Sequence, residues 1–134
     1  MFLTKTDFDS AIHSEIIDAI TRQDETILPI LILEAIGKMK SYLSERFDCN
    51  VIFAKTGEDR DPVIMSLCKD IVLYDLHCIH NPRKMTKRTV DRYNNAIEWL
   101  KGIVKNEINP GLPEAATPVT PVKFGSNPKR NNFF

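Results

Sequence analysis

Residues 25–47 read ETILPILILEAIGKMKSYLSERF, the strongest helical pattern in the chain. Pro29 falls in the first turn, where its missing N–H would have no partner. At about 1.5 Å per residue, a helix of this length would extend roughly 35 Å. We therefore expect it to be the spine of an all-α fold. Its inner stripe consists of Ile32, Ala35, Ile36, Met39, Leu43 and Phe47.

Shorter elements flank this helix. Before it, Thr6 is placed to cap a helix that either continues or breaks near His13-Ser14, where Ser14 can cap a second segment. After it, residues 48–61 form a connector with a turn signal at Gly57. The apolar trio at residues 51–53 either adds a short strand or pins this connector to the core.

Two further helices complete the predicted body. One runs from Pro62, with Asp61 as its cap, to about His80, and its inner face includes Val63, Cys68 and Cys78. The other begins at Thr86, and its pattern is typical of an amphipathic helix. The packing residues of this pair are Tyr74 on the first helix and Tyr93, Ile97, Leu100 and Val104 on the second, with Trp99 and Ile103 flanking the stripe.

The sequence thus predicts a small bundle of four to five helices with one long central helix, plus an extended C-terminal tail. Residues 1–108 form the helical domain, and residues 109–134 are rich in Pro and Asn. The chain is 43% hydrophobic, which is enough for one packed core. Its 18 basic and 18 acidic residues give no net charge, which argues against a dedicated DNA-binding protein.

The tail ends in a basic and aromatic segment. Extended at about 3.1 Å per residue, it would reach roughly 80 Å, enough to cross an adjacent subunit. We expect it to dock on a neighbouring subunit; the alternative is a disordered, solubilising segment. Its partner-binding residues are Lys129, Arg130, Phe133 and Phe134.

A basic cluster separates the last two helices. Arg83, Lys84, Lys87 and Arg88 are candidates for contact with DNA or an acidic protein; a solvated loop is the plainest interpretation.

Evidence for catalytic chemistry is weak. His77, Cys78 and His80 share a helix, but no paired spacing supplies four zinc ligands. No phosphate-binding loop is present in the sequence. The odd number of cysteines without CxxC spacing favours reduced thiols. The longest apolar run, residues 27–33, is far shorter than the roughly 20 residues that span a membrane. We expect neither an enzyme nor a cofactor, and no membrane partner.

One polar residue on an apolar helix calls for a partner. Asp70 lies beside Ile71 and Tyr74, and a carboxylate near the core costs less when an arginine pairs with it. We expect a pair between Asp70 and either Arg46 or Arg92.

Three motifs resemble the Mu-type phage neck proteins, which are related in architecture to head-tail connector proteins. The resemblance covers about residues 1–112. The motifs are Tyr42-Leu43-x-x-Arg46-Phe47, Asp70-Ile71-x-x-Tyr74-x-Leu76 and Arg92-Tyr93-x-x-Ala96-Ile97-x-Trp99-Leu100.

This resemblance implies a virion protein of the neck, assembled in the host cytoplasm. It implies a ring, commonly of about twelve copies, below the portal protein. Such a ring extends the channel for genomic DNA without reading its sequence, and it offers a platform to the next neck or tail-completion protein. The chain departs from the family at residues 51–53, a loop that usually contains proline, and in its long tail.

Two other classes stay open. A helical nucleic-acid-binding module would use residues 83–88 and bind duplex DNA in a salt-sensitive way. A small enzyme or regulator would form its site between subunits, from His77, His80 and a carboxylate.

Overall fold

The computed structural model describes residues 2–80, 83 and 85–115, and these residues form helices with one isolated β-bridge. The all-α prediction is therefore confirmed. In chain order the α-helices are α1 (Ser14–Thr21), α2 (Ile27–Leu43), α3 (Cys49–Ala54), α4 (Pro62–His80) and α5 (Lys87–Val104), with 3-10 helices at Lys5–Ser10 and Gly57–Asp59.

The three long helices, α2, α4 and α5, pack against one another in pairs, so in cross-section they form a triangle around the core. Helix α1 packs on α4, and α3 packs on α2. Lys38 on α2 pairs with Asp75 on α4 at 2.8 Å. The core between the long helices includes Ile32, Met39, Leu43, Ile64, Ile71, Leu76, Leu100 and Ile103.

Side-chain caps explain where α4 and α5 begin. Asp61 Oδ1 accepts hydrogen bonds from the backbone N–H groups of Val63 and Ile64 at 2.9 and 3.0 Å. Thr86 Oγ1 accepts from the N–H of Thr89 at 3.3 Å. Each bond satisfies a donor that the first turn of a helix leaves without a partner. The predicted starts of both helices are confirmed.

The end of α2 and the connector after it differ from the prediction. The helix ends at Leu43 and not at Phe47, because residues 44–46 form a turn. The strand considered for residues 51–53 is wrong, since this segment belongs to α3. Asp48 caps α3 by accepting from the N–H of Val51, and Ile52 is buried.

The break near His13 is confirmed, but the caps lie elsewhere. The first 3-10 helix is capped at Thr4, whose backbone N–H donates to Asp7 Oδ2 at 2.7 Å. The cap predicted at Thr6 is therefore wrong. Helix α1 has His13, not Ser14, at its N-cap position.

Three residues predicted to face inward are exposed. Val63 is 42% exposed, because it lies on the outer side of the first turn of α4, beside the buried Ile64. Cys78 is exposed because the buried face of α4 ends at Leu76. Val104 is 46% exposed because Ile103, its neighbour, occupies the buried position.

Residues 109–115, which follow the predicted boundary at residue 108, pack on the helical body without forming a helix. Leu112 is buried, the Pro113 carbonyl oxygen accepts from Asp48 N–H at 2.9 Å, and Ala115 N–H donates to the Arg46 carbonyl oxygen at 2.9 Å. Phe47 and Glu114 form the antiparallel bridge. The start of the predicted tail is thus attached to the chain's own body, at the carboxyl end of α2.

Candidate functional site

The predicted pair at Asp70 forms with Arg92 and not with Arg46. Arg92 Nε donates one hydrogen bond to Asp70 Oδ1, at 2.8 Å. Burial raises the pKa of the Asp70 carboxyl, although the Arg92 guanidinium opposes this change. Arg46 instead donates to the Ile103 carbonyl oxygen at 2.8 Å, and its guanidinium lies 4.9 Å from the Phe47 ring centroid.

A second ion pair was not expected from the sequence. Arg60 binds both carboxylate oxygens of Asp7, at 2.8 and 3.1 Å, and donates to the Phe2 carbonyl oxygen at 2.8 Å. The Arg60 hydrogen bonds lower the pKa of Asp7 to about 2. The signal in the sequence is Arg60 itself, which is the one cation in the acidic loop 58–61. From the sequence, this loop is interpreted as a solvated turn.

The predicted packing residues have different surroundings. The rings of Tyr74 and Tyr93 stack, with centroids 4.0 Å apart and planes 20° apart. Leu100 is buried and Ile97 is half-buried, whereas Trp99 is 41% exposed. Trp99 is therefore a surface residue and not part of a wider buried stripe. Ile103, expected beside the stripe, is buried as predicted, and the buried residues of α5 that the prediction missed are Ala96 and Gly102.

The basic cluster is partly described. Lys87 and Arg88 are exposed in the first turn of α5, and Arg83 is exposed before it. Lys84 lies outside the described residues, as do Lys129, Arg130, Phe133 and Phe134 of the predicted docking tail.

Four of the eight large apolar side chains that are exposed in the described residues lie on two surfaces. The first, which we call the α2 ridge, consists of Ile30, Leu33 and Gly37; Ile30 and Leu33 are 54% and 60% exposed. A Cβ atom added at Gly37 would meet nothing within 4 Å.

The second surface is a shallow cavity of about 310 Å³ between the start of α4 and the end of α5. We call it the α4–α5 groove; it is lined by Pro62, Val63, Ser66, Leu67 and Trp99. Because α2, α4 and α5 all contact one another, the outer face of α2 lies opposite the seam of the other two helices. The ridge and the groove therefore lie on opposite sides of the protomer.

A deeper cavity, the N-terminal pocket, has a volume of about 570 Å³ and lies where α1 meets the start of α2. Its apolar lining includes Leu3, Ile17, Leu28, Pro29 and Ile32.

The rim of this pocket is acidic. Asp18, Asp24, Glu25 and Lys5 line it, and Lys5 is paired with Asp18. The bonds from Thr26 lower the pKa of Asp24. The turn beside the pocket contains Arg22 and Gln23 in the left-handed region, at φ 55° and 63°. Side chains other than glycine seldom adopt this conformation, so the turn that shapes the rim is strained.

Metal-binding groups are not clustered in the part of the chain that the structure describes: no set of three or more His, Cys, Asp or Glu side chains is arranged to hold an ion there. His77 Nδ1 donates to the Leu73 carbonyl oxygen at 2.7 Å. None of the helices in the described ranges is both long and apolar enough to cross a bilayer.

Residues 2–125 match the family described as "Bacteriophage Mu, Gp36". No curated protein and no solved structure matches the chain. The matched range includes the whole helical body and its attached segment at residues 109–115. Because the match extends over nearly the entire sequence, the chain belongs to the bacteriophage Mu Gp36 family.

Proposed function

We propose that this protein is a structural subunit of the virion neck, forming a ring below the portal protein that joins head to tail. Membership of a phage Mu family supports a phage role. The observation that carries the ring proposal is the pair of unlike apolar surfaces on opposite sides of one protomer. An interface between unlike surfaces repeats from copy to copy, and a closing rotation makes it a ring.

One of the two surfaces projects from the protomer and the other is concave. Ile30 and Leu33 project from α2, whereas the α4–α5 groove is concave and ends against the half-exposed indole of Trp99. Gly37 leaves the helix backbone open to close approach. Burying such side chains on a neighbour contributes roughly 25 cal/mol per Å² of apolar surface. We infer that the ridge of one copy enters the groove of the next.

In this proposal the ring has no catalytic task. The portal protein binds one side of the ring and the next neck or tail-completion protein the other, while genomic DNA passes through the centre. The balance of 18 basic and 18 acidic residues suits a channel through which DNA slides without being held.

The ring contact can be tested with two substitutions that each introduce a negative charge. Leu33→Glu disables the ridge and Trp99→Glu disables the groove, and each should keep the protein monomeric in native mass spectrometry under conditions where the unaltered chain forms rings. An equimolar mixture of the variants should give dimers, because one intact ridge meets one intact groove. Val104→Glu, at an exposed apolar site outside both surfaces, is the control and should form rings. Rings from both disabled variants would refute the contact.

A nucleic-acid-binding module is the second candidate. Lys87 and Arg88 lie at the amino end of α5, where the helix dipole disfavours positive charge, so an anionic partner would offset that cost. This alternative predicts salt-sensitive binding of short duplex DNA by the isolated protein, weakened by Lys87→Glu. Absence of binding at low salt would remove it.

A further inference from the structure

We propose that the N-terminal pocket of one copy receives residues 129–134 of a neighbouring copy. This inference rests on the proposed ring, and it assigns an acceptor site to the basic, aromatic segment at the end of the printed sequence. The segment reads KRNNFF.

The size and lining of the pocket suit aromatic side chains. Its volume of about 570 Å³ lies within the usual range of ligand sites, roughly 300–1,000 Å³. Leu3, Ile17 and Leu28 form the buried floor of the pocket, and the half-buried Pro29 at its edge would contact the ring of Phe133 or Phe134 and shield it from water.

The charges of the pocket and the segment are opposite. Three carboxylates and one lysine line the pocket, and Lys5 is already paired with Asp18. Glu25 and the second carboxylate oxygen of Asp24 thus face Lys129 and Arg130, since Asp24 Oδ1 already accepts from Thr26. Such exposed pairs contribute little each, so they orient the segment while its rings supply most of the affinity.

The positions of the pocket and the tail favour exchange between copies. The chain is attached as far as Ala115 beside Arg46, at the carboxyl end of α2, whereas the pocket lies at the amino end. The groove is near the attachment point, because Arg46 also binds the Ile103 carbonyl, one turn after Trp99.

The ridge is next to the pocket, since Pro29 lines the pocket and Ile30 belongs to the ridge. Seating the groove of one copy on the ridge of the next therefore brings the tail of the first copy close to the pocket of the second. Extended at about 3.1 Å per residue, the chain after Ala115 reaches roughly 55 Å by Phe133, which is more than this contact requires.

Disulfide trapping between two different full-length chains tests the inference. One chain carries Gln23→Cys at the pocket rim, the other carries Asn132→Cys, and both carry Cys78→Ser to remove the exposed thiol. Because neither chain holds both new cysteines, a cross-link between these sites can form only between copies. On oxidation of the mixture we expect a cross-linked dimer, identified by mass spectrometry of the Gln23–Asn132 peptide pair.

A matched control replaces Gln23→Cys with Ser41→Cys, an exposed position towards the other end of α2. The rim position should cross-link at least about tenfold more than this control, and adding Phe133→Ala and Phe134→Ala should remove most of that difference. Changing Lys129 and Arg130 to Glu should lower the yield about fivefold. Equal yields at the two positions, or no cross-link at the rim, would overturn the inference.

The mass of the assembled protein separates this result from the proposed function. Rings that form without the Gln23–Asn132 cross-link would exclude the pocket as the acceptor and leave the ring intact. A cross-linked mixture that never exceeds dimers would support the pocket and contradict the ring.

Discussion

At the scale of single residues, the Asp7–Arg60 pair joins the amino-terminal segment to the loop before α4. Its contribution depends on pH, because the folded-state pKa of Asp7 is about 2 and lies below the ordinary value of 3.8. The stabilisation is therefore fully present above pH 3.8 and is lost as pH falls through 2.

We expect Asp7→Asn to lower the free energy of unfolding at pH 7 by about 1–2 kcal/mol, allowing for screening by water. The difference from the unaltered protein should shrink as pH falls from 3.8 and disappear below pH 2. Urea unfolding at several pH values measures this, with the exposed Asp9→Asn as control. A difference that stays constant down to pH 2 would contradict the assignment.

The two partners of the Asp70–Arg92 pair are unequal. Asp70 is 10% exposed in its side chain, whereas Arg92 is 46% exposed. Arg92→Gln leaves the Asp70 carboxylate at the edge of the core without its cation, and should lower the free energy of unfolding by about 1–3 kcal/mol. Asp70→Asn should lower it less, because it leaves an arginine that water can reach.

The loss caused by Arg92→Gln should shrink in acid, since protonation of Asp70 removes the unpaired charge. The raised pKa of Asp70 means that this relief begins above pH 3.8. Thermal unfolding between pH 7 and pH 4 measures both effects. Equal losses for the two variants would contradict the unequal roles of the two partners.

At the scale of elements, the glycines of α2 and α5 provide a matched comparison. Gly37 has open space around its missing Cβ, whereas a Cβ at Gly102 would lie 2.7 Å from Ile108 Cδ1. Alanine suits a helix better than glycine, so Gly37→Ala should stabilise the protomer by about 0.5–1 kcal/mol. Gly102→Ala should lose that gain and destabilise the protomer by about 1 kcal/mol through overpacking. Calorimetry distinguishes these results, and a stabilising Gly102→Ala would contradict the close approach.

The helices were predictable to the extent that local chemistry sets them. The starts of α4 and α5 were predicted correctly, from Asp61-Pro62 and from Thr86, because capping acts within a few residues. Trp99 and Val104 were assigned to the interior wrongly, since periodicity defines a stripe without saying how far a neighbouring helix covers it. The short α3 was missed because three consecutive apolar residues are compatible with either a helix or a strand.

At the scale of the whole molecule, the candidate surfaces were not visible in the sequence. The N-terminal pocket combines Leu3, Asp18 and Leu28, and the groove combines Val63 with Trp99. The residues of each surface are distant along the chain. The packing of α1 on the start of α2 forms the pocket, and the packing of α4 on α5 forms the groove. The candidate partners of Asp70, by contrast, could be reduced to Arg46 and Arg92 from the sequence. All three residues lie on predicted helices.

The attachment of residues 109–115 predicts where the folded body ends. A chain that stops at Ile108 loses the burial of Leu112 and the bonds of Pro113 and Ala115 to the turn after α2. It should be less stable than a chain that stops at Ala115 by about 2–3 kcal/mol in urea unfolding. Removal of residues 126–134 should leave the unfolding free energy unchanged and weaken ring or portal attachment. Equal stability of the two shorter chains would place the boundary at residue 108.

The bridge between Phe47 and Glu114 also constrains the order of events during synthesis. Phe47 is made when less than half of the body exists, yet the segment that closes over this turn is among the last parts of the body to emerge. In a nascent chain the turn that contains Phe47 must therefore stay uncovered while the helices between Phe47 and Glu114 are translated. Ribosome-bound intermediates should expose it to proteases until Ala115 has left the exit tunnel.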